Sequence, residues 1–76
     1  MKKEVLAEML NIISTKEPNL MNSPAYKEVQ ELMQKDPKEV SYAEKLKAQD
    51  RLEALCIVAG ISYGRAIEWA FERAVR

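Results

Sequence analysis

Four backbone-breaking residues punctuate this chain, and the stretches between them carry apolar side chains at the period of a helix. The breakers are Pro18, Pro24, Pro37 and Gly60. A proline fixes its own φ and restricts the residue before it. A glycine supplies the left-handed conformation that closes many helices. No stretch alternates apolar and polar residues with the two-residue period of a strand, and no repeat or low-complexity tract is present. The pattern predicts one all-α domain over residues 1–76: a compact bundle of about four helices at 3–14, 24–35, 42–59 and 63–75, with a short helical turn at 37–40.

The first helix places Val5, Leu6, Met9, Leu10, Ile12 and Ile13 on one broad face, with Glu4, Glu8 and Asn11 opposite. Residues 15–23 read as a loop, because Pro18 disfavours helix at Glu17 and Asn19 and Asn22 favour turns. Ser23 is a good N-cap and Pro24 suits the first helical position. Ala25, Val29, Leu32 and Met33 form the expected buried stripe of helix two, with Tyr26 at its edge. Lys35 suits the dipole of the last turn, and Pro37 stops the helix. Two capping boxes follow, Asp36 to Glu39 and Ser41 to Glu44, and a single turn before a long third helix accommodates both. The end of that helix, Leu52 to Ala59, is apolar on nearly every side. Such a segment must be covered all round, so it is either the central helix or half of a dimer interface. Gly60 then ends the helix, and Ser62 caps the fourth, whose expected core face is Ala66, Ile67, Ala70, Phe71, Ala74 and Val75.

A 76-residue chain buries only ~60% of its unfolded surface and needs a good core or a second subunit. An internal disulfide is excluded, since Cys56 is the sole cysteine. With no histidine and one cysteine, no metal and no cofactor are expected. Twelve basic residues balance twelve acidic ones, six of each in either half; nucleic-acid binders are usually basic. The longest apolar run, Ala54 to Ile61, falls far short of the ~20 residues that span a bilayer. The start of the chain lacks a signal-peptide core, and with a lone cysteine this gives an expectation of a soluble, cytoplasmic protein with no membrane partner.

No catalytic constellation stands out, and the chain is not expected to be an enzyme. The commonest general base, histidine, is missing. Cys56 sits in the most apolar stretch, where a core role is expected rather than a nucleophilic one. Glu44, Asp50 and Glu53 share a helix but not a face, and Lys45, Lys47 and Arg51 surround them as on a solvated surface. The only glycines are Gly60 and Gly64, so no phosphate-binding loop exists. The outer face of helix four is more informative. Trp69 falls outside the core stripe, Arg65 and Arg73 lie one turn to either side, and Arg76 is close by. Trp and Arg are enriched at binding hot spots, and Arg stacks on indole. Two readings stay open: a contact patch for a macromolecule, or a Trp69 that closes the edge of a small core.

Two local resemblances accompany these readings. In Leu52 to Phe71, small Cys56, turn residue Gly60 and apolar Ile61 precede a second helix, and the segment resembles a helix-turn-helix. The resemblance implies that Ala66 and Trp69 are buried, while Tyr63, Gly64, Arg65, Glu68, Glu72 and Arg73 face a DNA groove. Glu68 and Glu72 would repel phosphates there. From Ser23 to Gln49, the run Ser-Pro-Ala-Tyr, an amphipathic helix, Lys-Asp-Pro-Lys-Glu and another helix is similar to small bacterial regulators of the YlbF/YmcA kind. The apolar C-terminal third departs from that family, and no function is carried over.

The sequence therefore favours a small non-enzymatic binding protein that regulates or inhibits a larger protein partner. Arg65, Trp69, Arg73 and Arg76 are its candidate contact residues. A homodimer is expected, with Leu52, Leu55, Cys56 and Val58 as its candidate interface. Nucleic acid is the weaker alternative, read by a helix-turn-helix at 52–71.

Overall fold

A computed structural model describes residues 2–75. Helix α1 spans Lys3–Lys16, α2 Pro24–Gln34, α3 Tyr42–Ala59 and α4 Tyr63–Val75. Short 3-10 helices occupy Pro18–Asn22 and Pro37–Glu39. There is no strand among the described residues. The all-α bundle expected from the sequence is the observed fold.

The boundaries follow from local chemistry. The Ser41 side chain accepts from the Glu44 N–H at 3.1 Å, and Glu44 returns the bond by accepting from the Ser41 N–H at 3.3 Å, a complete capping box. At the other end of α3, Gly60 lies at φ 72°. The Gly60 N–H donates to Ile57 O and the Ile61 N–H donates to Cys56 O, the paired bonds of a Schellman motif. Ser62 Oγ then accepts from the Arg65 N–H at 3.4 Å and starts α4.

Three expectations near the N-terminal half are corrected. Helix α1 runs to Lys16 rather than Ser14, because Pro18 constrains only Glu17, which takes an extended φ of −140°. Residues 18–22 of the expected loop coil into a 3-10 helix that tucks Leu20 against the core. Ser23 fastens it, since its hydroxyl donates to Leu20 O at 2.7 Å and accepts from the Tyr26 N–H at 3.2 Å. Helix α2 ends at Gln34, one residue early, because Lys35 is already extended ahead of Asp36-Pro37.

The core is centred on α1. Val5, Met9, Leu10, Ile12 and Ile13 are all buried, and α1 touches each of the other helices. Tyr26 and Val29 enter from α2, Leu52, Leu55 and Cys56 from α3, and Ala66 and Ala70 from α4. Tyr26 is thus a core residue rather than an edge one, and its hydroxyl donates to Leu10 O at 3.4 Å. The broadest packing is between α1 and α4 and between α2 and α3. Leu52 to Ala59 is therefore not the central helix. Leu52, Leu55, Cys56 and Ala59 face inward, while Ile57 and Val58 are 70% and 66% exposed.

The expected core face of α4 was too wide. Ala66 and Ala70 are buried and Ile67 and Ala74 pack beside them, but Phe71 and Val75 are 49% and 83% exposed. Ala66, Ala70 and Ala74 recur every fourth residue and form a ridge of small side chains. Such a ridge lets α4 approach α1 closely, and bulkier neighbours are left on the flanks. The Cα envelope is flat, 31 × 29 × 17 Å. The accessible surface is 5228 Å², about 10% above the ~4,700 Å² expected for a monomer of 8.7 kDa.

Candidate protein-docking surface

Trp69 sits on one flank of the α4 ridge and is 44% exposed. Residues four apart on a helix differ by about 40° in direction and about 6 Å along the axis. Arg65 and Arg73, both exposed, therefore bracket Trp69 on the same face. Neither is held in an ion pair among the described residues, where the pairs are Lys35–Glu44 at 2.7 Å and Arg51–Glu28 at 2.8 Å. Arg76 lies outside the described residues. Phe71 and Val75 lie on the opposite flank, roughly 160° around the helix from Trp69 for Phe71. The structure thus brings Arg65, Trp69 and Arg73 to one surface and leaves half of the indole in solvent.

The residues expected at a dimer interface divide differently. Leu52, Leu55 and Cys56 are buried within the chain, so their side chains offer no surface to a second copy. Val58 is exposed, and its neighbour Ile57 is exposed beside it. Ile57 was missed although the sequence carried its signal. Once Leu52, Leu55, Cys56 and Ala59 define the inner face at helical spacing, Ile57 and Val58 point away from it.

The shifts of the titratable groups trace to burial and to ion pairs. Burial, reinforced by the charge of Glu53, pushes the Cys56 thiol above its ordinary range. Burial likewise raises the Tyr63 phenol, with Cys56, Glu53 and Asp50 adding to the effect. The hydrogen bond from Arg51 holds Glu28 below the ordinary 4.5, and the Lys35 ammonium does the same to Glu44. Among the described residues, no three His, Cys, Asp or Glu side chains converge as a metal site would require.

The segment 52–71 has the outline of a helix-turn-helix. Helices α3 and α4 are joined by three residues, Gly60, Ile61 and Ser62, and the chain bends by 108° between them. That turn length and angle lie in the range of the motif. Its buried positions differ from the resemblance, however. Ala66 is buried as implied, but Trp69 is half exposed and Ala70 takes the inner place. Among the described residues, no single helix is long and apolar enough to cross a membrane.

Comparison with known proteins adds no relative. The chain matches no protein-family model, and no curated protein or solved structure is significantly similar to it.

Proposed function

We propose that this chain is a small, non-enzymatic binding protein that regulates or inhibits a larger protein by docking the Arg65–Trp69–Arg73 face of α4 against it. The observation that carries the reading is the indole of Trp69, half exposed on a helix and bracketed by two exposed, unpaired arginines. A rigid helix gives the three side chains a fixed spacing. Indole and guanidinium groups supply large contact area and charge-assisted hydrogen bonds when a partner excludes water from them. A helical surface recognised in this way needs no catalytic group.

The test begins with an affinity capture from source-cell lysate, with and without nuclease, read by mass spectrometry. A partner enriched despite nuclease is then titrated against Trp69→Ala and Arg73→Ala. Loss of a hot-spot residue weakens binding by at least ~2 kcal/mol, about 30-fold. Unchanged affinity in both variants rejects the α4 face.

The same reading includes a homodimer. The surplus of accessible surface and the adjacent exposed Ile57 and Val58 support it. Charged residues at both positions, Ile57→Asp with Val58→Asp, are expected to yield a monomer that keeps its helical circular dichroism. A wild-type chain that scatters light as a monomer at high concentration rejects the dimer.

A second reading, DNA binding, draws on the 108° bend and three-residue turn between α3 and α4. Glu68 and Glu72 on the exposed side of α4 oppose it. Phosphate contacts release counterions, so this reading requires affinity that falls steeply with salt.

A further inference from the structure

The exposed Ile57 and Val58 lie within one turn of the Gly60 corner, and the rest of the outer face of α3 cannot extend their patch. Leu46, Asp50, Glu53 and Ile57 follow one another along that face, all exposed. Two copies packed parallel on this stripe would set each acid against itself. Packed antiparallel with Leu46 on Ile57, they would set Asp50 against Glu53. Like charges brought together in this way oppose association. The nearby cations stand beside the stripe and not on it. Lys47 lies about 100° round the helix from Leu46 and close enough to Glu28 to favour its charge, and Arg51 is paired with Glu28 at 2.8 Å. Ile57 and Val58 alone offer two side chains, where a stable interface takes about 800 Å² from each partner.

The chain contains a larger surface that a second copy can use. Helix α4 packs far more extensively along α1 than against α3. Its buried Ala66 and Ala70 share one core cluster with Met9 and Ile13 of α1. Only Gly60, Ile61 and Ser62 join α4 to α3. The 108° bend at this joint is held by Gly60 at φ 72° and by the two N–H bonds to Ile57 O and Cys56 O. Rotation of Gly60 out of the left-handed region opens the corner. It carries α4 away as a unit and uncovers the α1 surface on which α4 had lain.

We propose that the homodimer forms by exchange of α4: each chain opens at Gly60 and lays its α4 on the α1 of a second copy. The proposal rests on the dimer reading above and gives that dimer its interface. Every α1–α4 contact of the closed chain is remade between chains, so the exchange is a low-cost route to association. The two opened corners pass each other across the two-fold axis. Ile57 and Val58, within a turn of those corners, are the apolar surface that the new crossing covers.

The test co-refolds ¹³C-labelled and unlabelled full-length chains from urea at high concentration and records isotope-filtered NOEs. The expected result is a dimer by light scattering in which the Ala66 and Ala70 methyls of one chain show NOEs to α1 methyls of the other. Gly60→Ala is the diagnostic variant. Alanine penalises the left-handed corner of the closed chain and favours a helical hinge. Each dimer has two hinges, so the variant dimer should be tighter by about thirtyfold or more. Gly64→Ala, which is helical in both forms, is the control and leaves the dimerisation constant unchanged. Dimers whose α1–α4 NOEs stay within one chain, or a Gly60→Ala dimer no tighter than wild type, overturn the exchange and leave the homodimer standing. Wild-type chains that stay monomeric at millimolar concentration overturn both.

Discussion

The two glycines of this chain are expected to respond to the same substitution with opposite sign. Gly60 holds φ 72° and ψ 31° at the end of α3, a left-handed conformation that costs an L-residue about 1–2 kcal/mol. An added Cβ meets nothing within 4 Å, so the penalty is conformational and not steric. Alanine also narrows the unfolded ensemble, which returns a fraction of that cost. The net effect of Gly60→Ala is then a loss of about 1 kcal/mol, a fall in Tm of about 4–8 °C for a domain of this size. Gly64 is the second residue of α4 and has ordinary helical geometry. The nearest atom to its added Cβ is Ser62 Oγ at 4.0 Å. Gly64→Ala is expected to stabilise by about 0.5 kcal/mol, because alanine is the better helix former and the site is close to a helix end. Urea and thermal melts followed by circular dichroism, at one fixed protein concentration, measure both. Asparagine tolerates the left-handed region, so Gly60→Asn should fall between glycine and alanine. A Gly60→Ala variant as stable as wild type, or a common sign for both alanines, would refute the Schellman closure as the determinant of this corner.

Other perturbations separate core from surface and structure from charge. Leu52→Ala removes a fully buried side chain and should cost about 2–5 kcal/mol, whereas Val58→Ala, on the exposed side of the same helix, should change the stability of the single chain by less than about 0.5 kcal/mol; urea melts that rank them otherwise contradict the helix orientation. Ion pairing holds Glu28 and Glu44 below 4.5, so their contribution is complete above that pH and is lost as pH falls through the lowered values. Glu44→Gln keeps a side chain able to form the capping box, and its urea midpoint should differ less from wild type at pH 3 than at pH 7. Lys35 is raised above 10.5 by the same partner, so the pair persists at neutral pH and, on the alkaline side, is lost as pH rises above that value. Cys56 is buried with a raised thiol pKa and should react with a thiol reagent only as fast as the chain opens, which a comparison with and without urea detects.

The parts of the fold that could be read from sequence are those closed by side chains on both ends. Helices α3 and α4 match their expected limits because Ser41, Gly60 and Ser62 each form the hydrogen bonds that their types suggest. Where a boundary depended on a proline alone, it moved. Pro18 stops only Glu17, and Pro37 lets Lys35 leave the helix before it must. The 3-10 helix after α1 was hidden because its anchor, Leu20, stands alone with no periodic neighbours to mark it. On α4 the pattern identified a stripe but not its width. Periodicity counts Phe71 and Val75 with Ala66 and Ala70, while packing distance admits only the small residues to the seam with α1. The direction of Trp69 was legible from its spacing, whereas its degree of exposure depends on how close α1 comes. A cleft lined by Leu6, Leu32, Met33 and Val40 could not be read, because it joins residues from separate segments whose adjacency is a property of the packed bundle.

Helix α4 divides its sequence between a packed seam of small residues and large side chains left on its exposed flanks. Its seam with the core is made by Ala66 and Ala70, which bury little area but permit a short interhelical distance. Its large side chains, Trp69, Phe71 and Val75, contribute only part of their surface to the fold. A chain of this size commands roughly 4–11 kcal/mol of stability at typical values per residue, so leaving Trp69 and Phe71 half exposed and Val75 largely exposed is a substantial concession. A partner that covered Trp69 in the proposed docking mode would bind only the folded state and stabilise it through mass action. The orientation of that face depends on α1, which packs along α4, and on the Gly60 corner, which sets the 108° bend from α3. Under the proposed docking mode, a substitution at Gly60 should therefore act on binding as well as stability: by altering the corner, it tilts the Arg65–Trp69–Arg73 face without touching any of its residues.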